Sequence, residues 1–201
     1  MIISFLGINC TGKTTLSQQF AREFKGEYVS YKVEENIIPS FYVNDIETVY
    51  CAEKTYQKRI NEICKTVLKK SNKKIYFFDR HPIEQLLYCF DRVYSNRQFD
   101  NLYYYLIKHI CKISPTLSII LVPSDISKIV QRIKRCRSNM YRTFLTANRL
   151  QKLNKLYLLL YGILKGIGQQ TICLDPVLPY KKVYRLSKEK ILEIISKEND
   201  L

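Results

Sequence analysis

The chain has 201 residues, of which 46% are hydrophobic, and its formal net charge is +15. This length and composition suffice for one sizeable core, and since no Pro-, Gly- or Ser-rich stretch divides the sequence, we expect a single domain over residues 1–201. The longest apolar runs are too short to cross a bilayer, and the apolar N-terminus leads into a loop motif instead of a cleavage site. We therefore expect neither a membrane span nor a secretory signal.

The basic charge and the cysteines limit the partners and the compartment. A net charge of +15 suits an anionic partner, either a phosphorylated small molecule or a nucleic-acid backbone. The seven cysteines are an odd number without a C-x-x-C pair, and only two histidines accompany them. This usage predicts neither a disulfide framework nor a zinc site, and it indicates a reducing compartment.

The most informative motif lies near the N-terminus. An apolar run at residues 2–6 predicts a strand, and residues 7–15 then fit the pattern G-x-x-x-x-G-K-[ST] at every fixed position. In this pattern the glycines let backbone N–H groups converge on phosphates, the lysine places a positive charge near the β- and γ-phosphates, and the hydroxyl after it can hold Mg²⁺. The motif predicts a nucleoside triphosphate site. The predicted nucleotide-binding residues are Gly7, Asn9, Cys10, Thr11, Gly12, Lys13, Thr14 and Thr15.

Beta-prone runs alternate with helical stretches along the rest of the chain. Strands are predicted at residues 2–6, 28–33, 74–78, 117–122 and 171–174. Apolar stripes at helical spacing predict helices at 53–68, 126–133 and 150–161, and a final helix at 187–195 with Ser187 as a candidate N-cap. This alternation predicts an α/β fold with a five-stranded parallel sheet flanked by helices. In such a fold the ligand site lies beyond the carboxyl ends of the strands.

Charged side chains follow the second and third predicted strands. Asp79 ends an apolar strand, and such an acid is a common partner of a phosphate loop because it can orient Mg²⁺ or its water shell. Thr14 and Asp79 are therefore the predicted metal-side residues, although Asp79 could instead cap the following helix. Arg80 can reach a phosphoryl group in transfer or hold the catalytic carboxylate in place. Glu34 and Glu35 follow the second strand, where one of them can accept the proton of an attacking hydroxyl. The alternative for this pair is two solvated loop glutamates.

A basic cluster occupies residues 131–137, at the end of the helix after the fourth strand. Phosphoryl transfer spreads negative charge over oxygens, and an arginine-rich segment that closes over a triphosphate neutralises this charge and expels water. We therefore interpret residues 131–142 as an arginine-rich lid, with Arg135 and Arg137 as its charge-stabilising residues. The alternative is a nucleic-acid-binding face, since runs of Lys and Arg also bind backbone phosphates.

With these motifs the chain resembles the deoxynucleoside kinase family, and the herpesvirus-type thymidine kinases in particular. The resemblance rests on the sequence DRHPI at residues 79–83 and on the basic stretch 134–137, which is similar to the family's lid motif. Residues 150–157 are also similar to the helix after the lid in cellular deoxynucleoside kinases. The resemblance implies a P-loop kinase that uses ATP and Mg²⁺, a homodimer, and a cytoplasmic setting that includes a virus-infected host cell.

The resemblance also implies roles for individual residues. It makes Glu34 the general base by its distance from the phosphate loop. Glu35 stays the alternative, because the family has Glu-Pro where this chain has Glu-Glu-Asn. Arg80 would both contact the substrate and stabilise the transferring group. Tyr56 and Gln57 resemble the aromatic-Gln pair that reads the nucleobase, and an amide can pair bidentately with a pyrimidine edge. The implied acceptor is therefore thymidine or another pyrimidine deoxynucleoside. The alternative for Gln57 is an ordinary polar residue on a helix surface.

The expected activity is transfer of the γ-phosphoryl group of ATP to the 5′-hydroxyl of a deoxynucleoside. Recognition of the sugar stays open, since the family's acidic residue after the lid arginines is missing here and Tyr141 or Asn139 is left to replace it. One alternative is a nucleoside monophosphate kinase of the thymidylate type. The other is a basic ATP-binding protein that interacts with nucleic acid. Because the basic cluster lies where a P-loop kinase needs its lid, we expect nucleoside and ATP as partners, without nucleic acid or membrane.

Overall fold

The computed structural model describes residues 1–30, 45–69, 74–84, 87, 113–136 and 145–199, and at some helical positions, among them 56 and 57, it describes the backbone alone. Strands and helices alternate through these residues, as the sequence predicts. The strands are β1 (Ile2–Gly7), β2 (Glu27–Ser30), β3 (Tyr76–Asp79), β4 (Leu117–Leu121) and β5 (Thr171–Leu174). The helices are α1 (Lys13–Glu23), α2 (Ile46–Lys69), α3 (Ile126–Cys136), α4 (Ala147–Gly166) and α5 (Tyr180–Asn199).

The strands form one sheet in the order β2-β3-β1-β4-β5, and every neighbouring pair is parallel. The predicted five-stranded parallel sheet is therefore confirmed. After β1 the chain continues to β2 on one side of the sheet, whereas after β3 it continues to β4 on the other side. Because these connections diverge from two neighbouring strands, a ligand crevice is expected above the carboxyl ends of β1 and β3.

Consecutive residues of the central strands pack on opposite faces of the sheet. Leu6 and Ile120 belong to the core under α3 and α4, whereas Phe5 and Ile119 belong to the core under α1 and α5. All four are fully buried, and both faces of these strands are covered. That double coverage explains why the strands are continuous apolar runs in the sequence and not alternating patterns.

The helices extend beyond the apolar stripes that predicted them. A stripe marks only the buried face, and the ends of a helix depend on its caps. The hydroxyl of Thr146, for example, accepts from the amide of Arg149 and caps α4 at its start. None of the described helices is both long enough and apolar enough to span a bilayer.

The last helix differs from its prediction. It begins at Tyr180, and Ser187, the candidate N-cap, lies fully buried in its interior. The Ser187 hydroxyl instead donates to the carbonyl of Val183 at 2.9 Å, a bond that serine makes within helices. Pro179 marks the true start, since its carbonyl accepts from the amide of Lys182 at 2.8 Å and proline is favoured at helix N-termini.

Candidate functional site

The register between β1 and β3 places Asp79 beside the phosphate loop. Phe5 pairs with Asp79 across the two strands, and the amide of Arg80 donates to the carbonyl of Phe5 at 3.1 Å. Asp79 is itself the last residue of β3 and is 2% exposed. The Asp-Arg pair therefore lies at the carboxyl edge of the sheet, next to the loop that leaves β1.

Two glycines determine the path of the loop between β1 and α1. Gly7 has a φ of 140°, and a Cβ at this position would lie 2.5 Å from the carbonyl oxygen of Leu121 on β4. Gly12 precedes α1 with a φ of 92°, a left-handed conformation that glycine adopts without steric cost. The helix starts directly after Gly12, so its first N–H groups and the positive end of its dipole meet the loop, which is a common anion-binding arrangement.

Lys13 is buried under the loop. Its ammonium donates to the carbonyls of Gly7 at 2.7 Å and Ile8 at 2.6 Å. Burial, together with the positive charge of Arg80, lowers the pKa of Lys13 to about 7, against the opposing effect of Glu84 and other nearby groups. A polyphosphate would be a stronger partner for this ammonium than neutral carbonyls are, because charge-assisted hydrogen bonds are the stronger class.

The predicted metal-side residues are in direct contact. The Thr14 hydroxyl donates to Oδ2 of Asp79 at 2.6 Å, and the Tyr28 hydroxyl of β2 donates to the same oxygen at 3.1 Å. A hydroxyl and a carboxylate supply the oxygen ligands that Mg²⁺ prefers. Among the described residues, no three His, Cys, Asp or Glu side chains cluster as in an all-protein metal cage. This set fits Mg²⁺, which is usually held by one or two carboxylates together with substrate phosphates.

Arg80 is held by a carboxylate that the sequence analysis did not select. Its Nη1 donates to Oε2 of Glu84 at 2.9 Å, and its Nη2 donates to Oδ1 of Asn9 in the loop at 2.7 Å. The other carboxylate oxygen of Glu84, Oε1, accepts from the amide of Gly7 at 2.9 Å. The signal in the sequence was the i, i+4 spacing of a basic and an acidic residue, but that spacing is frequent on exposed helices.

The histidine of the DRHPI segment is a buried structural residue. Nε2 of His81 lies 2.8 Å from the carbonyl oxygen of Ile113, and Nδ1 accepts from the amide of Ile83. Burial lowers the pKa of His81 to about 4, so the ring is neutral at pH 7, with its proton on Nε2. The ring thus connects the end of β3 to the chain that enters β4.

Several predicted site residues lie outside the described residues, and their roles stay predictions. The general base, the second lid arginine and the sugar-binding candidates are among them, and only the backbone of the base-reading pair is described, within α2. These residues are Glu34, Glu35, Arg137, Asn139, Tyr141, Tyr56 and Gln57. Of the basic cluster, Arg135 is exposed in the last turn of α3, and Arg132 donates to the carbonyl of Pro176 at 3.0 Å.

No protein-family model matches this chain, and no curated protein matches it. Solved structures do. The structure of deoxyadenosine kinase from M. mycoides with bound dCTP is similar over 96% of this chain and 100% of that chain, at 22% identity and a TM-score of 0.73. The same enzyme with products dCMP and a flexible dCDP bound has 21% identity and the same TM-score and coverage. The YorR protein from Bacillus subtilis in complex with phosphorylated GDP is similar over 100% of this chain and 99% of that chain, at 14% identity and a TM-score of 0.57.

At these levels of identity the similarity establishes the fold. The five-stranded parallel sheet and its flanking helices match the fold of these structures. The chain therefore has the P-loop fold of deoxynucleoside kinases.

Proposed function

We propose that this protein is a deoxynucleoside kinase that transfers the γ-phosphoryl group of ATP to the 5′-hydroxyl of a deoxynucleoside. The observation that carries the proposal is the contact between Thr14 and Asp79, at 2.6 Å, beside a phosphate loop on this fold. A hydroxyl directly after the motif's lysine and a strand-end carboxylate are the two protein groups that P-loop enzymes use on the metal side of a triphosphate. The full-length similarity to deoxyadenosine kinase supports the choice of acceptor class.

The donor half of the reaction follows from the described residues. Lys13 and the amides of the loop bind the β- and γ-phosphates, and Arg80 adds positive charge where the transferring group becomes more negative. Thr14 and Asp79 would hold Mg²⁺, which neutralises charge on the phosphate oxygens when bound. Tyr28 keeps the Asp79 carboxylate in place through its hydroxyl.

The acceptor half rests on the predicted residues. Glu34, or Glu35 in its place, would accept the proton of the 5′-hydroxyl as that oxygen attacks phosphorus. Arg135 and Arg137 would close over the triphosphate and exclude water, so that the phosphoryl group is transferred to the alcohol and not to water. In the sequence, Glu34 and Glu35 follow β2, Arg135 lies in the last turn of α3, and Arg137 follows that helix.

A pyrimidine is the first choice of base. The DRHPI segment resembles that of thymidine kinases, and Gln57 can pair with a pyrimidine edge. The similar enzyme from M. mycoides was solved with dCTP and dCMP. Its name and its structure with bound dATP make adenine the second choice.

The direct test is a screen of acceptors with ATP and Mg²⁺. The four common deoxynucleosides, their ribose counterparts and their monophosphates are supplied separately, and the formation of each product is measured by chromatography. We expect phosphorylation of a deoxynucleoside. Turnover of thymidine monophosphate without turnover of any nucleoside would instead assign the thymidylate type of kinase.

Variants link the activity to the site. Lys13→Ala and Arg80→Ala are each expected to remove most turnover while the circular dichroism spectrum stays that of the parent. Lys181→Ala, at an exposed position near the start of α5, is the matched control and should keep full turnover. Full activity in either site variant would refute the assigned roles.

The basic charge leaves one competitor to test. A nucleic-acid-binding protein would hold single strands or duplexes with an affinity that falls steeply with salt, because each phosphate contact releases counterions. Strong, salt-dependent binding without any nucleoside phosphorylation would favour that function. Under the kinase proposal the partners are a nucleoside and ATP, in the cytoplasm, with a homodimer as the proposed assembly.

A further inference from the structure

Glu84 is a buried carboxylate that the phosphoryl-transfer chemistry above does not use. It is 3% exposed and lies shortly after β3. A buried charge is costly unless it is paired and hydrogen-bonded. Its partners therefore indicate what role it has.

Both oxygens of Glu84 accept from groups of the phosphate site. Oε1 accepts from the amide of Gly7, the first residue of the loop, and Oε2 accepts from Nη1 of Arg80, both at 2.9 Å. The second terminal nitrogen of Arg80, Nη2, donates to Asn9 of the loop at 2.7 Å. One carboxylate thus connects the beginning of the loop to the arginine, and the arginine connects to the middle of the loop.

The backbone at Arg80 is also held in place. Its φ of 76° is a left-handed conformation that non-glycine residues keep only where their surroundings hold them. The amide of Arg80 donates to the carbonyl of Phe5 at 3.1 Å, which fixes the backbone against β1. The contacts with Glu84 and Asn9 fix the guanidinium, so both ends of the residue are restrained.

We propose that Glu84 is a positioning residue for phosphoryl transfer, which acts by holding the guanidinium of Arg80 in a fixed place relative to the loop that begins at Gly7. The inference rests on the proposed function, since it concerns the same reaction. Electrostatic stabilisation of a transition state requires charges that are already oriented before charge develops. Glu84 supplies that orientation, and it does not itself touch the substrate.

Glu84→Gln separates this role from the packing of the side chain. Both partners of Glu84 are N–H donors, and an amide offers one acceptor oxygen and one NH₂ donor. Glutamine can therefore satisfy Gly7 or Arg80, but one of the two contacts becomes donor against donor. The variant keeps the shape of the side chain and removes its negative charge.

The test compares steady-state kinetics of the parent, Glu84→Gln and the control Glu189→Gln. Glu189 also has an arginine four residues away, Arg185, but the pair is exposed and its Nε–Oε1 distance is 3.7 Å. For Glu84→Gln we expect kcat to fall about tenfold or more, with the KM for ATP nearly unchanged. The control should match the parent in both constants.

A double-mutant cycle distinguishes positioning from a merely structural role. If Glu84 acts through Arg80, then Arg80→Lys combined with Glu84→Gln should lose no more kcat than the worse single variant. Losses that multiply, or a Glu84→Gln variant with parental kcat, would overturn the inference and leave the kinase assignment intact. A parent protein that phosphorylates no acceptor would overturn both.

Glu84→Asp covers the case in which the glutamine variant does not fold. Aspartate keeps the charge and both acceptors but is one methylene shorter, so it cannot reach Gly7 and Arg80 as Glu84 does. A folded Glu84→Asp variant with reduced kcat and parental KM for ATP would support positioning. Parental kcat in that variant would contradict it.

Discussion

Binding of ATP should transfer a proton from solvent to Lys13. In the free protein the ammonium contacts the carbonyls of Gly7 and Ile8, and burial lowers its pKa to about 7. At pH 8.5 a group with this pKa is charged in roughly 3% of molecules. A polyphosphate beside it favours the charged form and raises the pKa again. Each binding event should therefore take up about one proton at pH 8.5, about half a proton at pH 7 and about a tenth at pH 6.

The uptake can be measured by isothermal titration calorimetry. A non-hydrolysable ATP analogue with Mg²⁺ is titrated in buffers of different ionisation enthalpy, and the slope of the observed enthalpy against buffer enthalpy gives the number of protons. Lys13→Arg should lose the uptake, because arginine stays charged at every pH used. Lys181→Arg, a matched change at an exposed lysine, should keep it. No uptake at pH 8.5 in the parent, or equal uptake in Lys13→Arg, would refute the reasoning.

The lowered pKa of Lys13 also makes the stability of the free protein depend on pH. Its pKa falls from the ordinary lysine value of 10.5, which applies to the unfolded chain, to about 7 in the folded protein, so the unfolded chain binds more protons between these two values. The free energy of unfolding should therefore rise with pH across this window, by up to about 1.4 kcal/mol per pH unit. Urea unfolding at pH 7.5 and pH 9 should reveal the rise in the parent. Lys13→Met should lack it.

Three further changes test other parts of the structure. Tyr28→Phe removes one of the two hydroxyls on Asp79 and should lower kcat about tenfold, measured with a Mg²⁺ titration; parental kcat would contradict the support role. The folded pKa of His81, about 4, lies below its unfolded value, so the protein loses stability as the pH falls from 6.5 to 4. His81→Gln should remove this loss, which is about 3 kcal/mol. An unchanged pH dependence of urea unfolding over this range would contradict the prediction. Gly7→Ala should lower the free energy of unfolding by about 2 kcal/mol or more, because the added Cβ meets a carbonyl of β4. Gly162→Ala, where nothing lies within 4 Å of an added Cβ, should leave the free energy of unfolding unchanged or raise it. Equal stability of these two variants would show that the contact at Gly7 is unimportant.

Local patterns in the sequence predicted the parallel sheet and selected Thr14 and Asp79, which the structure places in contact. The phosphate loop is contiguous, so its glycines, Lys13 and Thr14 can be identified without knowing what surrounds them. Asp79 was identifiable because it ends an apolar run, and parallel strands bring their carboxyl ends to one edge. Ser187 failed as a cap because a buried serine and a capping serine look alike in sequence, and only the bond to Val183 distinguishes them.

The tertiary structure decided which distant residues support that centre. Tyr28 on β2 contacts Asp79 on β3, and Glu84, after β3, contacts Gly7 at the end of β1, so both contacts depend on the pairing of these strands. The lowered pKa values of Lys13 and His81 have the same origin, since burial depends on the whole packed core. A sequence pattern records spacing along the chain, whereas hydrogen bonds between strands and the loss of solvent depend on distances in space. Those distances exist only once the sheet has formed.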